Sequence, residues 1–158
     1  MDTLLLVIGS IGAVSLLLCA LAVLSFGFPV VPFVPSTQLR MKVIMELSGL
    51  KAGDRVVDIG SGDGRVVIAF AKAGVLAHGF EINPLLIWWS RLQIHIMGLG
   101  GAAAIYSKDF WRVDFSCYDV IVVYGNASIM GKLEAYLGPQ LKSGVRVLVN
   151  GSQFPNWT

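Results

Sequence analysis

The segment from Asp58 to Arg65 reads DIGSGDGR, with glycines at three alternate positions. Glycine adopts backbone conformations closed to other residues, and it lets a ligand approach main-chain N–H groups where a helix begins. A dinucleotide fingerprint has the spacing G-x-G-x-x-G, but here Arg65 stands in place of the third glycine. The spacing predicts a loop that binds a nucleoside-type cofactor, although the same residues taken alone also fit a tight turn. The predicted ligand-contacting residues of the loop are Gly60, Ser61, Gly62 and Gly64.

Three acidic residues lie at or just beyond the ends of apolar runs: Asp58, Glu81 and Asp109. A carboxylate two residues before the first glycine attracts an amino or sulfonium group and repels a pyrophosphate, which favours S-adenosylmethionine over NAD. Glu81 can accept hydrogen bonds from both hydroxyls of a ribose, and Asp109 is placed to meet the adenine edge. Alternatively, Glu81 is a solvated strand end and Asp109 is a helix cap.

Short apolar runs alternate with helical patterns from Arg55 onward, which is typical of strand–helix units built on a parallel sheet. The five predicted strands are residues 56–59, 77–81, 102–106, 119–124 and 145–150, and the predicted helices between them are residues 64–72, 84–97 and 128–137. Right-handed crossovers group the first three strands and return the fourth to the other side of the first, which opens a crevice at the carboxyl ends of the strands. We therefore expect a Rossmann-like, doubly wound α/β fold.

The N-terminal part of the chain has a different composition. No charged residue occurs between Asp2 and Arg40, and residues 4–26 are almost wholly apolar. At about 1.5 Å rise per residue, such a helix crosses a hydrocarbon core of about 30 Å, so we predict a transmembrane anchor at residues 1–27. A cleaved signal peptide is the alternative, although no Lys or Arg precedes the apolar run. Because Arg40 and Lys42 follow it, the charge bias places the next domain on the cytoplasmic side.

Three prolines between residues 28 and 35 exclude a continuing helix and predict an extended linker, followed by one globular domain at residues 36–158. Ser36 or Thr37 can cap a short amphipathic helix that ends at Gly49. The predicted buried face of this helix consists of Leu39, Val43, Ile44 and Leu47.

Charge and cysteine content argue against several classes of protein. A net charge of +2 with dispersed Lys and Arg does not indicate a nucleic-acid-binding face. Cys19 and Cys117 give neither a disulfide framework nor metal-ligand spacing, and we expect both to be small buried residues. His78 and His95 lack Cys or carboxylate companions at ligand spacing. We therefore expect no metal site and no nucleic-acid partner.

Four blocks of sequence resemble the class I, seven-strand S-adenosylmethionine-dependent methyltransferases, and more narrowly a family of membrane-anchored protein-lysine methyltransferases with small prokaryotic relatives. The blocks are VDIGSGDGRVV at residues 57–67, GFEINP at 79–84 with WSR at 89–91, KDFW at 108–111, and FPNW at 154–157. The apolar N-terminus and its proline-rich exit match too, so the resemblance covers nearly the whole chain. It extends the expected cofactor site to Ile82, Asn83, Phe110 and Trp111, of which Trp111 could instead fill the core.

The resemblance implies transfer of methyl groups to the ε-amine of lysine on membrane-embedded proteins, because mitochondrial members modify the rotor-ring protein of ATP synthase and the adenine nucleotide translocase. It implies a location in a prokaryotic cell membrane or the mitochondrial inner membrane. Many amino-group methyltransferases present an aromatic ring and a polar acceptor after the fourth strand, where Tyr124 and Asn126 stand here without the usual D/N-P-P-Y pattern. Both are candidate catalytic residues, or an ordinary strand-end tyrosine and turn asparagine.

The chain also departs from the family pattern. The fold normally continues after the fifth strand into an antiparallel pair, whereas this chain ends at Thr158, so we expect the fifth strand to have an open edge through which copies could associate. Three alternatives stay open: a methyltransferase acting on a small-molecule or lipid acceptor, an NAD-linked oxidoreductase, and a non-catalytic membrane scaffold that binds the cofactor. Trp88, Trp89 and Leu92 fit either a buried helix face or a membrane-facing surface.

Overall fold

The computed structural model describes residues 12–18, 38–51 and 53–157. The chain divides into two compact units, Met1–Phe33 and Val34–Thr158. In the first unit, residues 12–18 are helical, and the rest of the predicted anchor and linker lies outside the described residues. Over the ranges that the structure describes, none of the helices has both the length and the apolar character needed to cross a membrane.

The second unit is built on a five-stranded parallel sheet. The strands are β1 (Arg55–Ile59), β2 (Leu76–Glu81), β3 (Ala103–Ser107), β4 (Val120–Gly125) and β5 (Arg146–Gly151). Their order is β3-β2-β1-β4-β5, as the crossover rule predicted, and every strand end lies within one residue of its predicted position. Strands such as β4 form because their β-branched runs are buried on both faces of a parallel sheet.

Four α-helices accompany the sheet: α1 (Gln38–Ser48), α2 (Arg65–Lys72), α3 (Pro84–Ile96) and α4 (Ala127–Leu137). Short 3₁₀ helices span Phe110–Arg112 and Gly138–Gln140. One core cluster joins side chains of α1, α2 and α3 to one face of the sheet, and a second joins α4 and Phe154 to the other face. The sheet is therefore covered on both sides, as a doubly wound fold requires.

The buried face of α1 differs from the predicted one. Of the four predicted residues only Ile44 is buried, and its partners in the packing are Met41, Met45 and Ser48. The other three predicted residues, Leu39, Val43 and Leu47, are exposed. The sequence contains two overlapping apolar stripes that share Ile44, so periodicity could not tell which one meets the sheet.

A contact with β5 orients α1. The guanidinium of Arg146 donates hydrogen bonds to the carbonyl oxygens of Ser48 and Gly49 at the end of the helix, and it forms an ion pair with Asp54. These bonds satisfy carbonyls that lack a partner within the helix. The helix ends where predicted, since Gly49 has a φ of 51°.

The prediction that both cysteines are buried is wrong for Cys117, which is exposed in the loop before β4. Its neighbour Tyr118 is buried in its place, and the Tyr118 hydroxyl shares a 2.9 Å hydrogen bond with Nδ1 of His78. Cys19 lies outside the described residues. His78 thus has a structural partner, as expected.

Candidate functional site

The carboxyl ends of β1, β2 and β4 meet at one edge of the sheet. Ile59, the last residue of β1, pairs with Phe80 on one side and with Val123 on the other. The chain direction reverses here, since β2 and β3 extend to one side of β1 and β4 and β5 to the other. This is the switch point at which doubly wound folds bind ligands.

The glycine loop between β1 and α2 requires its glycines. Gly60, Gly62 and Gly64 have φ angles of 75°, 55° and 78°, a region that side chains with a Cβ rarely adopt. The N–H groups of Gly60 and Ser61 both donate to the carbonyl of Phe80, at 3.0 Å. The loop is therefore fixed to β2 by backbone hydrogen bonds, and the space beside Gly60 is open, because a Cβ there would meet nothing within 4 Å.

Gly79 is a residue of the site that the sequence did not single out for a role. A Cβ at this position would lie 2.6 Å from both Cβ and Oγ of Ser61, and 2.8 Å from Cδ1 of Ile105. The absence of a side chain thus lets the glycine loop pack directly against β2. The Ser61 hydroxyl is buried there with no hydrogen-bond partner among the described residues.

Glu81 joins the glycine loop to the start of α3. One carboxylate oxygen accepts from the N–H of Gly62 at 2.9 Å, and the other accepts from the N–H groups of Ile82 and Asn83 at 2.8 and 2.9 Å. A carboxylate has about four lone-pair positions, so capacity for further hydrogen bonds remains. Glu81 is therefore a positioned acceptor at the edge of the crevice, where a ribose was predicted.

Asp58 is a buried carboxyl beneath this loop, with only 5% of its surface exposed. Burial, together with the negative charges of Glu81 and Asp63, raises the pKa of Asp58 to about 7. The ionised form is thus poorly stabilised by the protein itself. A cationic ligand placed in the crevice would supply the missing counter-charge.

Arg65, the residue in place of the third glycine, holds the loop from outside. Its guanidinium forms an ion pair with Asp63 at 2.6 Å, and the carbonyl of Asp63 accepts from Nε2 of Gln93 at 3.1 Å. The loop is thereby tied to α3 as well as to β2. The non-glycine residue at this position was a signal in the sequence, whereas the role of Gln93 had none.

The segment after β3 packs toward α4. Asp109 caps the 3₁₀ helix by accepting from the N–H of Trp111 at 3.1 Å, which is the structural role considered for it in the sequence. The Trp111 ring lies edge-on to Tyr136, with a centroid separation of 5.5 Å, and Nζ of Lys132 lies 4.4 Å above it. Phe110 packs beside Trp111 at 4.8 Å.

Three further predicted residues have capping or surface positions. Asn83 caps α3 by accepting from Leu85 N–H at 3.0 Å, and Asn126 caps α4 by accepting from Ser128 N–H at 3.1 Å. Ile82 is half exposed beside Asn83. Tyr124, 36% exposed, pairs with Asn150 at the ends of β4 and β5.

The predicted residues thus fall into two sets. Asp58, Gly60, Ser61, Gly62, Gly64 and Glu81 form one hydrogen-bonded unit at the ends of β1 and β2, with Ile82 and Asn83 attached to it. Asp109, Phe110 and Trp111 follow β3, and Tyr124 and Asn126 follow β4, at the same edge of the sheet.

The sequence and the fold match known methyltransferases. The family model described as the ANTKMT methyltransferase domain matches residues 58–158. The chain is 33% identical over 129 residues to an adenine nucleotide translocase lysine N-methyltransferase of Mus musculus, covering 80% of this chain and 56% of that protein. It is 31% identical to a protein-lysine N-methyltransferase of Saccharolobus islandicus, covering 82% of this chain and 81% of that one. The chain therefore spans little more than half of the mouse relative.

A relative from Rattus norvegicus is more similar in sequence. It is a lysine N-methyltransferase that acts on the c-type rotor protein of ATP synthase, and it is 42% identical to this chain over 127 residues. The match covers 80% of this chain and 58% of the rat protein. Relatives of the same kind thus extend well beyond the length of the present sequence.

A solved structure also shares the fold. The RNA methyltransferase from Salinibacter ruber, in complex with S-adenosyl-L-homocysteine, aligns with a TM-score of 0.74 and 29% sequence identity, covering 79% of this chain and 82% of that one. The family model covers well over half of the present sequence. The chain therefore belongs to the ANTKMT methyltransferase domain family.

Proposed function

We propose that this protein is an S-adenosylmethionine-dependent methyltransferase that modifies lysine side chains of a membrane protein. The observation that carries the proposal is the unit formed by Asp58, the glycine loop and Glu81, in which an acceptor and a buried carboxyl flank an open space beside Gly60. The relatives at 42% and 33% identity are named as lysine N-methyltransferases of an ATP synthase component and of adenine nucleotide translocase. They support the acceptor class.

The residues present fit the cofactor. Glu81 would accept hydrogen bonds from the ribose hydroxyls, and the ionised Asp58 would face the positive amino or sulfonium group. Gly60, Ser61, Gly62 and Gly64 bring backbone close to the ligand, and Ile82, Asn83, Asp109, Phe110 and Trp111 are the proposed surroundings of its adenosine part. When bound, S-adenosylmethionine supplies an electrophilic methyl group to an in-line nucleophile.

The work of the chain in this reaction is to position the amine and to keep water away. A lysine amine begins about three pKa units above neutral pH, so presenting it uncharged costs on the order of 4 kcal/mol unless its surroundings lower that pKa. Tyr124 and Asn126 follow β4 at the switch point and are the proposed catalytic residues. The Tyr124 hydroxyl and the Asn126 carbonyl would accept from the amine and orient its lone pair.

We also propose that residues 1–27 form a single membrane anchor, that residues 28–35 are a linker, and that residues 36–158 are the methyltransferase domain on the cytoplasmic or matrix side. The uncharged stretch between Asp2 and Arg40 supports the anchor. Self-association through β5 is a further proposal, supported by its position at the edge of the described sheet.

Methyl transfer from tritiated S-adenosylmethionine to a membrane extract tests the proposal, with the full chain and with Asp58→Ala as a control. We expect a labelled membrane protein with the wild type and none with the variant, and hydrolysis of that protein should release methylated lysine. Label only in the lipid fraction or in small molecules would replace the proposed acceptor. Cofactor binding without any labelled product would instead indicate a scaffold, and calorimetry showing affinity for NAD alone would overturn the proposed cofactor.

A further inference from the structure

Helix α3 has two apolar faces, and only one of them is covered by the sheet. Ile87, Ser90 and Ile94 are buried against the first core cluster. A second stripe follows helical spacing on the outer side and is exposed. It consists of Leu85 (60% exposed), Trp88 (62%), Trp89 (47%) and Ile96 (72%), with Leu92 partly buried among them.

Two adjacent exposed tryptophans are costly for a protein surrounded only by water, because each indole carries a large apolar area. Trp88 and Trp89 have ring centroids 6.3 Å apart and form one continuous aromatic surface. Tryptophan concentrates at the boundary between lipid headgroups and acyl chains, where its ring is buried and its N–H stays hydrated. The outer stripe of α3 therefore has the composition of a membrane-interface surface.

The charge around this stripe favours a lipid surface over a protein partner of mixed charge. From Pro84 to Lys108 the chain contains Arg91 and Lys108 but no Asp or Glu. A groove of about 500 Å³ runs beside Trp88, and its lining includes Leu92, Arg91 and His95. An apolar wall next to a guanidinium suits an acyl chain and its anionic headgroup.

The position of the stripe relates it to the crevice. Helix α3 begins at Pro84, three residues after Glu81, and Ile82 is 49% exposed at that same end. The exposed surface therefore begins next to the predicted cofactor site and continues along the helix away from it. A bilayer held against this stripe would lie beside the opening through which a membrane protein presents its lysine.

We infer that the outer stripe of α3, formed by Leu85, Trp88, Trp89, Leu92 and Ile96, lies in the headgroup region of a phospholipid bilayer. This contact is separate from the proposed N-terminal anchor and does not depend on methyl transfer. It gives the globular domain an orientation that a tether alone would leave free.

Quenching of tryptophan fluorescence by brominated lipid tests the inference. The full chain is reconstituted into vesicles of phosphatidylcholine with a minor share of phosphatidylglycerol, in which the acyl chains are brominated near the headgroup. The chain has four tryptophans, at positions 88, 89, 111 and 157. We expect quenching of about half of the emission, because two of the four indoles lie in the interface.

The variant W88F/W89F keeps an apolar stripe but removes these indoles, and we expect the quenchable fraction to fall close to zero. W157F is the matched control, because Trp157 packs with the second core cluster on the opposite face of the sheet, and it should leave the quenched emission unchanged. Flotation measures anchoring in the same samples. Vesicle-bound chain whose Trp88 and Trp89 are not quenched would overturn the inference while leaving the anchor and the proposed activity intact.

Two other results would also overturn it. If the chain does not float with vesicles, the stripe has no affinity for lipid. If chemical crosslinking and sedimentation show a dimer that W88F/W89F leaves intact but W88Q/W89Q dissociates, and brominated lipid does not quench, the stripe is an interface between copies of the chain.

Discussion

The two halves of the crevice are built differently. In the half formed by β1 and β2, the glycine loop, Glu81 and the start of α3 are joined by backbone hydrogen bonds and by close packing at Gly79. In the half after β4, Tyr124 is partly exposed and Asn126 uses its side chain to cap a helix. The first half is rigid and chemically specified, whereas the second is an open rim. A fixed cofactor site beside a rim free to vary suits a fold that serves many acceptors.

The largest effect should come from Glu81→Ala. This variant removes the acceptor for three backbone N–H groups and the proposed partner of the ribose hydroxyls. Two hydrogen bonds to a charged acceptor are each worth roughly 1.5 kcal/mol or more, so we expect S-adenosylmethionine affinity to fall by about 100-fold or more. Calorimetry measures this, and circular dichroism should show little loss of fold. Wild-type affinity in the variant would refute the cofactor assignment.

Gly79→Ala should damage the same half through packing alone. The new Cβ would lie 2.6 Å from Ser61 and 2.8 Å from Ile105, so the loop must move. Overpacking of this kind costs about 1 to 3 kcal/mol of unfolding free energy, and we expect about tenfold weaker cofactor binding as well. Gly98→Ala, in the turn after α3 with no atom near its Cβ, is a control for the effect of an added methyl group away from the site. Equal losses in both variants would contradict the proposed packing role.

Asp58 should make cofactor binding depend on pH. Its pKa is raised to about 7, so the carboxyl becomes protonated as the pH falls through that value and loses its attraction for a cationic ligand. We expect affinity to be highest above about pH 8 and to decline steadily below about pH 7, as measured by calorimetry. In Asp58→Asn, binding should be weak at every pH.

The same group should influence stability in the opposite sense. Because the folded pKa is higher than the unfolded one, the protonated form is favoured in the folded state, and ionisation above a pH of about 7 destabilises the protein. Asp58→Asn should therefore raise the free energy of unfolding at about pH 8 by up to about 4 kcal/mol, with a smaller gain at about pH 5. Urea titration at both pH values measures the difference. A larger gain at the lower pH would contradict this sign.

The smallest effects belong to the rim. Asn126→Ala removes a helix cap and should cost about 1 kcal/mol of stability, whereas Asn126→Ser keeps a capping oxygen. If Asn126 contacts the acceptor amine, kcat should fall in both variants, with cofactor affinity unchanged. Normal turnover in Asn126→Ser would reduce its role to capping. Tyr124→Phe provides the parallel test for the hydroxyl, with an expected loss of about tenfold in kcat.

The sequence alone determined the fold and the chemistry of the first half of the crevice. Period and turn signals placed all five strands within one residue, because a parallel sheet buried on both faces demands continuous apolar runs. The alternating glycines and the acid at the end of β2 could be recognised because backbone geometry and hydrogen-bond acceptance depend on residue type at short range. These features leave a local signature.

The tertiary structure decided what depends on distant partners. Which stripe of α1 meets the sheet, the fit of Ser61 against Gly79, and the contact of Gln93 with the glycine loop all join residues far apart in the chain. The same holds for the outer stripe of α3, whose residues could equally have formed a buried face. Hydrophobicity determines which residues of a helix favour burial, but the shape of the whole domain decides how many of them find a partner.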